Sequence, residues 1–226
     1  MPDEWHVVDF AMIPKAKGSL TNAENWRYIA LLCVAAKVYD RLLLARVAPV
    51  VDTVMRFNQN GFRKGRGTLQ HILAWHAILD AARYQRMPLA ACFVDFTNAF
   101  PSVSWKAISA ALVAYGVPER LRIAIMSMYA EPKGRVKTSD GPTDPFPITQ
   151  GVMQGDTLAP FLFVAVLNLV LRDALEPLKE HGILVTEARS SRTRHARKEE
   201  RLTDMDYADD IVLLSHNLAD LSGGRC

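Results

Sequence analysis

The sequence predicts an α+β fold, with an antiparallel sheet backed by helices and preceded by a mostly helical, basic lobe. Two observations carry this prediction. Adjacent carboxylates, Asp209 and Asp210, stand between two short apolar runs, as in a tight turn between two strands. Residues 89–94 form a short, almost wholly apolar run, which is typical of a buried strand. The chain has 226 residues, half of them apolar, which suffices for one large or two small domains.

The helices are predicted from apolar spacing and from stop signals. Residues 26–47 are apolar with helical character, and residues 68–83 predict a second helix. Residues 105–115 carry apolar side chains at helical spacing behind a serine that can cap the helix. Gly116 and Pro118 are stop signals for that helix.

Three further elements complete the prediction. Residues 118–129 predict another helix with apolar side chains on one face. Asp-Gly at residues 140–141 predicts a turn between short strands at 135–138 and 146–148. The apolar stretch at residues 158–171 predicts a buried helix, because a membrane span needs about 20 residues. The sequence therefore predicts no membrane partner.

Asp209 and Asp210 are the most informative residues, because they form the carboxylate pair of a Tyr-Ala-Asp-Asp sequence. Successive side chains of a strand point to opposite faces, but at a hairpin turn both can reach one point at the sheet edge. Two such carboxylates repel each other unless they are protonated or neutralised by a cation. Oxygen-only ligands favour magnesium. An ordinary polar turn is the alternative that this tetrapeptide alone leaves open.

Asp95 supplies a third carboxylate, directly after the apolar run at residues 89–94. An acid at the end of a buried strand is costly unless it is paired, metal-bound or at the sheet rim. Three carboxylates from two strands can hold two magnesium ions about 3.5–4 Å apart, the arrangement used for nucleotidyl displacement. The sequence therefore predicts a two-metal site.

A glycine-rich segment at residues 150–160 precedes the predicted buried helix. Gly151 and Gly155 permit close approach of the backbone to a ligand, and Pro160 suits the first turn of a helix. Gln154 can offer its amide to a base or to the backbone. A glycine-rich turn before a buried helix is also a common structural feature, so this segment alone is weak evidence.

These motifs occur in an order that resembles a known family. Residues 93–100 read Phe-Val-Asp-Phe-Thr-Asn-Ala-Phe, residues 154–160 read Gln-Gly-Asp-Thr-Leu-Ala-Pro, and Tyr-Ala-Asp-Asp follows at residues 207–210. With the upstream segments at 13–18, 25–32 and 58–68, the chain resembles the reverse transcriptases, within them the non-LTR (LINE-like) retrotransposon enzymes. The resemblance implies an RNA-directed DNA polymerase that takes an RNA template, a DNA primer and dNTP.

The resemblance implies roles for the acidic and aromatic positions. Asp95, Asp209 and Asp210 match the catalytic metal ligands, for Mg²⁺ or alternatively Mn²⁺. Phe100 matches the aromatic under the sugar of the incoming nucleotide, where a rigid ring favours dNTP over NTP by excluding a 2′-hydroxyl. A core phenylalanine is the alternative for Phe100, since phenylalanine is often buried.

The resemblance also implies nucleotide contacts in the N-terminal and glycine-rich segments. Lys15 or Lys17, together with Arg27, match the cations that grip the β- and γ-phosphates. Gln154 and Gly155 would flank the nucleotide and the template base. For either lysine taken singly, a solvated surface position is the better explanation.

Template contacts are implied for three cations in the glycine-containing segment 61–67, namely Arg63, Lys64 and Arg66. The whole chain carries a net charge of +3, and residues 187–201 carry the same net charge. This basic segment could track phosphates, but its Ser/Arg-rich composition is also typical of a solvated loop.

By resemblance, residues 1–88 are fingers-like and residues 89–226 are a palm-like catalytic region with a fingers segment inserted around 116–150. The palm is incomplete in this prediction and the thumb is absent, so the chain resembles a truncated fragment. The alternative to an enzyme is therefore a catalytically incompetent retroelement remnant that at most binds nucleic acid.

Cysteine content and the N-terminus bear on location. Three scattered cysteines indicate a reducing compartment without a disulfide framework. No basic-then-apolar signal peptide opens the chain. The sequence thus predicts an intracellular protein, but it does not distinguish nucleus from cytoplasm and does not indicate an oligomeric state.

Overall fold

The computed structural model describes two compact units, each built from two separated stretches of chain. The described residues are 2–16, 18–22, 25–185 and 200–222. The first unit comprises Met1–Met55 and Asn98–Val166, and the second comprises Arg56–Thr97 and Leu167–Cys226. The predicted boundary between residues 88 and 89 does not coincide with this division, since residues 56–88 belong to the second unit. The assignment of fingers and palm to these segments stays a prediction.

A five-stranded sheet organises the first unit. Its strands are β1 (Val7–Pro14), β2 (Trp26–Leu31), β4 (Lys133–Thr138), β5 (Gly141–Pro142) and β6 (Phe146–Pro147). Strand β1 pairs antiparallel with β2 and parallel with β4, and β5 and β6 both pair antiparallel with β4. Val8, Phe10 and Ala30 form a buried cluster with Met153 on this sheet.

This sheet corrects the prediction of a mostly helical N-terminal lobe. Residues 26–31 were predicted as helix but form β2, where aromatic and β-branched residues suit a pleated surface. Tyr28 of β2 packs edge-on against Phe10 of β1, with ring centroids 5.3 Å apart. The stretch from 26 to 47 is therefore a strand followed by a helix, since long-range pairing with β1 overrides the local apolar pattern.

The helices of the first unit are α1 (Val34–Asp52), α3 (Ala99–Ser102), α4 (Trp105–Ala114) and α5 (Glu119–Ser127), after a short 3₁₀ helix at Asp3–His6. The Cys33 sulfur accepts a hydrogen bond from the Ala36 N–H at the start of α1, and the Ser104 hydroxyl caps α4 at 3.1 Å from the Ala107 nitrogen. The predictions of α4 and α5 are confirmed, and α1 starts later than predicted.

A three-stranded antiparallel sheet organises the second unit, in the order β3 (Ala90–Val94), β10 (Asp210–Ser215), β9 (Asp204–Tyr207). A separate antiparallel pair joins β7 (Ile183–Val185) to β8 (Glu200–Leu202). Ile183, Met205 and Leu214 form a buried cluster in this unit. The predicted antiparallel sheet, with the apolar run as one strand and the Asp-Asp hairpin beside it, is confirmed.

Helix α2 (Thr68–Gln85) packs against this sheet through Trp75, whose ring lies 6.2 Å from that of Phe93. At its start the Gln70 side chain accepts a hydrogen bond from the Gly67 N–H at 2.8 Å. Helix α6 (Ala159–Leu175) contains the boundary between the two units, which falls after Val166. A 3₁₀ helix follows at Glu176–His181. Helix α7 spans Leu218–Ser222. The predictions of α2 and α6 are confirmed.

Among the described residues, no helix combines the length and the apolar character needed to cross a membrane. Cys33 and Cys92 are free thiols. Lys17 and most of the basic segment at 187–201 lie outside the described residues.

Candidate active site at the end of the three-stranded sheet

The three predicted aspartates lie at one end of the three-stranded sheet. Val94 at the end of β3 pairs with Ile211 near the start of β10, and the two strands are antiparallel. Asp95, one residue after Val94, and Asp210, one residue before Ile211, therefore lie at the same end of the sheet. Asp210 pairs with Tyr207, which leaves Ala208 and Asp209 as a two-residue turn. The sheet register therefore brings the two predicted motifs to a common edge of one unit.

The donor set fits a hydrated divalent cation. Asp95 and Asp210 are exposed, Asp209 is half-buried, and all three offer carboxylate oxygens, the ligands that Mg²⁺ prefers. Mg²⁺ usually keeps several waters and uses only one or two carboxylates, so an open sheet end suits it. In the part of the chain that the structure describes, no group of three or more acidic, histidine or cysteine side chains is gathered closely enough to hold a metal ion.

A cavity of about 500 Å³ adjoins the aspartates within the second unit. Asp95, Tyr207 and Asp210 line it together with Trp75 of α2 and Phe93 of β3. Most of the remaining wall is aliphatic or aromatic, so Asp95 and Asp210 are acidic groups in the lining of a mainly apolar cavity.

A buried ion-pair network supports the hairpin from the other face of β9. The Asp204 carboxylate accepts hydrogen bonds from Arg56 Nη2, from Asn58 Nδ2 at 2.9 Å and from Thr203 Oγ1 at 2.5 Å. Asp206 Oδ2 lies 3.5 Å from Arg56 Nη2, and both aspartates are fully buried. Burial raises the pKa of Asp206 to about 6, although the charge of Arg56 opposes this shift.

This network was not predicted from the sequence. Its signal was present as two acids spaced by two residues, Asp204 and Asp206, which share one face of a strand in an apolar setting. The loop that supplies Arg56 and Asn58 lies within the stretch 1–88 that is predicted to be fingers-like. In the structure this loop belongs to the hairpin's own unit, where Asn58 O accepts from the Asp206 N–H at 3.0 Å.

The predicted template-binding cations differ in their placement. Arg63 is buried, and its Nη1 donates to the carbonyls of Arg56 and Gln59 at 2.8 Å each. Arg66 donates to Phe57 O at 2.8 Å, and its guanidinium lies 4.9 Å from the Phe57 ring centroid. Lys64 is exposed. The Arg63 guanidinium thus bonds within its own loop, and the contact of Arg63 with a template stays a prediction.

The predicted nucleotide contacts fall in the first unit. Lys15 and Arg27 are exposed at the same end of the β1–β2 pair, where the Lys15 N–H donates to Asn25 O at 2.7 Å. Phe100 is half-buried and stacks on Phe163, with ring centroids 4.9 Å apart and planes 10° apart. One face of the Phe100 ring is thus used in packing, in keeping with the core alternative.

Residue 155 is a glycine for a structural reason that the sequence did not reveal. Its φ is +116°, and a Cβ there would stand 2.5 Å from Ala30 O. The Gln154 carbonyl accepts from the Ala30 N–H at 2.7 Å, while the Gln154 side chain is exposed. The backbone at Gly155 therefore approaches β2 closely, and its contact with a ligand stays a prediction.

Two carboxyl groups are buried beside the same glycine-rich segment. Asp40 of α1 is fully buried, and burial raises its pKa to about 8, with the negative charge of Asp156 adding to the shift. Burial also raises the pKa of Asp156, while a hydrogen bond from the Leu158 N–H opposes it. Burial and the repulsion between the two carboxylates therefore favour the state in which one of them is neutral.

The second unit combines an antiparallel sheet, acidic residues at one end of it and flanking helices, an arrangement that can serve metal-assisted nucleotidyl transfer. The chain belongs to the reverse transcriptase (RNA-dependent DNA polymerase) family, which it matches over residues 13–224. Members of this family generally depend on divalent metal ions.

Curated relatives are retrotransposon proteins. The chain is 28% identical over 218 residues to the retrovirus-related Pol polyprotein from the type-1 retrotransposable element R2 of Popillia japonica, covering 96% of this chain and 28% of that protein. It is 30% identical over 209 residues to the R2 polyprotein of Nasonia vitripennis, covering 90% of this chain and 18% of that protein. The chain thus spans less than a third of the length of these two relatives. The predicted resemblance to the non-LTR retrotransposon enzymes is confirmed.

Solved telomerases share the fold. Telomerase from Candida albicans, in complex with the TWJ fragment of telomeric RNA, matches with a TM-score of 0.65 and 11% identity, over 99% of this chain and 40% of that one. Apo telomerase from Candida tropicalis, truncated from the C-terminal domain, matches with a TM-score of 0.59 and 14% identity, over 97% and 45%. This likeness supports the predicted polymerase fold.

Proposed function

We propose that this chain forms the catalytic part of an RNA-directed DNA polymerase, which adds dNTP to a primer 3′-hydroxyl on an RNA template. The observation that carries the proposal is the sheet register. It brings Asp95 to the same end of the sheet as Asp209 and Asp210, in a chain of the reverse transcriptase family.

Asp95, Asp209 and Asp210 are the proposed ligands of Mg²⁺, and Mn²⁺ fits the same oxygen donors. When bound, the metal supplies a lowered pKa at the primer 3′-hydroxyl and charge neutralisation at the leaving pyrophosphate. The protein's part is to present three carboxylates at one end of the sheet, where a bound cation would offset their negative charge.

The roles of the remaining residues rest on the family resemblance. Lys15, Lys17 and Arg27 are proposed to bind the triphosphate, where a cation stabilises charge on the leaving group. Phe100 is proposed to exclude the 2′-hydroxyl of a ribonucleotide. For the nucleotide and template base we propose Gln154 and Gly155, and for the template backbone Lys64 and Arg66.

Addition of a single nucleotide tests this proposal. The chain is incubated with a DNA primer on an RNA template, the complementary dNTP and Mg²⁺. We expect Asp209→Asn to abolish incorporation, while Asp173→Asn, at an exposed acid of α6, leaves it unchanged. Equal incorporation by parent and Asp209→Asn would contradict the proposal. Salt-sensitive RNA binding without incorporation would support the nucleic-acid-binding remnant instead.

A further inference from the structure

The turn between β9 and β10 contains a backbone conformation that needs external support. Ala208 has φ +57°, in the left-handed region that non-glycine residues rarely adopt. Such a residue persists only where its surroundings hold it in place. Because Ala208 directly precedes Asp209, its φ and ψ set the direction in which the two aspartates leave the sheet.

Gln59 bonds to both peptide groups that flank Ala208. Its side-chain Oε1 accepts from the Ala208 N–H at 2.9 Å, and its Nε2 donates to Ala208 O at 3.2 Å. These two bonds lie on either side of the Ala208 Cα, so together they fix its φ and ψ. Gln59 is separated from Ala208 by 149 residues, so the contact is tertiary.

The Gln59 side chain is itself held in one orientation. Its Oε1 also accepts from the Gly61 N–H at 2.7 Å, and the residue is fully buried. Gln59 and Asp206 form a parallel backbone bridge, and the Asn60 N–H donates to Asp206 O at 2.9 Å. Because water is excluded, loss of the side-chain amide would leave the Ala208 N–H and carbonyl without these partners.

We propose that Gln59 is the positioning residue of the Asp-Asp hairpin. It acts through the backbone of Ala208, and it fixes the direction of Asp209 and Asp210 without touching a substrate. The consequence for catalysis rests on the proposed function, whereas the consequence for the hairpin does not.

Hydrogen exchange at the Ala208 amide tests the proposal. In the ¹⁵N-labelled chain, Gln59→Met keeps the side-chain length and removes all three hydrogen bonds. We expect exchange at Ala208 to rise at least about tenfold more than exchange at Val212, a central residue of β10 that reports general opening of the sheet. An equal rise at both amides would overturn the proposal.

Two variants separate positioning from general stability. Asn168→Leu removes another buried side-chain amide of the same unit. The Asn168 Oδ1 accepts a hydrogen bond of 3.1 Å from the Arg56 N–H, and neither residue belongs to the turn. We expect it to raise exchange at Ala208 and Val212 by the same factor. Gln59→Glu keeps an acceptor for the Ala208 and Gly61 N–H groups and should recover part of the lost protection. Identical exchange in the Glu and Met variants would count against the proposal.

Kinetics of single-nucleotide addition give the catalytic consequence. Groups that orient metal ligands typically affect metal affinity by about 10–100-fold, so Gln59→Met should raise the Mg²⁺ concentration for half-maximal rate by about that factor. The KM for dNTP should stay unchanged. If Gln59→Met needs the same Mg²⁺ concentration as the parent, the proposed effect of Gln59 on catalysis is contradicted. If the parent chain adds no nucleotide, the proposed function fails, but the Ala208 exchange still decides the role of Gln59.

Discussion

Gly61 and Ala208 approach so closely that a Cβ on residue 61 would stand 2.2 Å from the Ala208 backbone nitrogen. The two nearest atoms belong to the backbone of the hairpin turn and the third is the Ala208 Cβ, so none of them can rotate out of the way. The loop that follows Met55 therefore fits against the β9–β10 hairpin only if residue 61 has no side chain.

Gly61→Ala should destabilise the second unit, since either the loop or the hairpin must move. We expect a loss of about 1–3 kcal/mol in the free energy of unfolding, as for overpacked cores, measured by urea denaturation. Gly67→Ala is the control, because its Cβ would meet its nearest atom at 3.7 Å. Similar stability losses for the two variants would show that the Gly61 contact is unimportant.

Arg56→Met should destabilise the protein by about 3–5 kcal/mol, because it leaves Asp204 and Asp206 buried without their cation. The matched control is Arg83→Met, which breaks an ion pair with Asp80 in which both side chains are 78% exposed. That surface change should alter stability by less than about 0.5 kcal/mol. Equal losses of stability in Arg56→Met and Arg83→Met would contradict a special role for the buried ion pairs of Arg56.

Asp40 should make stability fall as pH rises. Burial raises its folded-state pKa from 3.8 to about 8, so the folded state binds more protons than the unfolded state across this range. Asp206, with a pKa raised to about 6, contributes in the same direction over the lower part of the range. Asp40→Asn mimics the neutral acid, and urea denaturation should show a larger gain over the parent at pH 8 than at pH 5. If Asp40→Asn differs from the parent in stability by the same amount at both pH values, the raised pKa of Asp40 is contradicted.

Phe100→Val should raise incorporation of rNTP relative to dNTP by at least about tenfold, equivalent to 1.4 kcal/mol of lost discrimination. The comparison is made by single-nucleotide addition with matched ribo- and deoxyribonucleotides. Phe163→Val loses the same ring stack, so both variants should lose stability, but only Phe100→Val should change the ratio. If neither variant changes it, Phe100 is a core residue alone.

The sequence predicted those parts of the molecule whose signals are local. The apolar run before Asp95, the Tyr-Ala-Asp-Asp turn and the Ser104 cap each lie within a few residues, and all appear where expected. Strand β2 was mistaken for helix because its structure depends on pairing with β1 and not on its own periodicity.

Burial and distant contacts could not be predicted from one sequence. Asp40, Asp204 and Arg63 are charged residues whose positions in the interior depend on partners elsewhere in the chain. Gln59 carries no local sign that its amide meets Ala208. The same long-range folding explains why residues 56–67 belong with the hairpin, although their sequence resembles a segment assigned to the fingers.

The central claim is that Asp95 and the hairpin aspartates form one divalent-metal site. Titration with Mn²⁺, followed by electron paramagnetic resonance of the free ion, tests it in the parent chain and in Asp95→Asn, Asp209→Asn and Asp173→Asn. We expect Asp95→Asn and Asp209→Asn each to weaken the same site at least about tenfold, as for loss of a metal ligand, while Asp173→Asn matches the parent. Mn²⁺ binding that is unaffected by both Asp95→Asn and Asp209→Asn would contradict the claim.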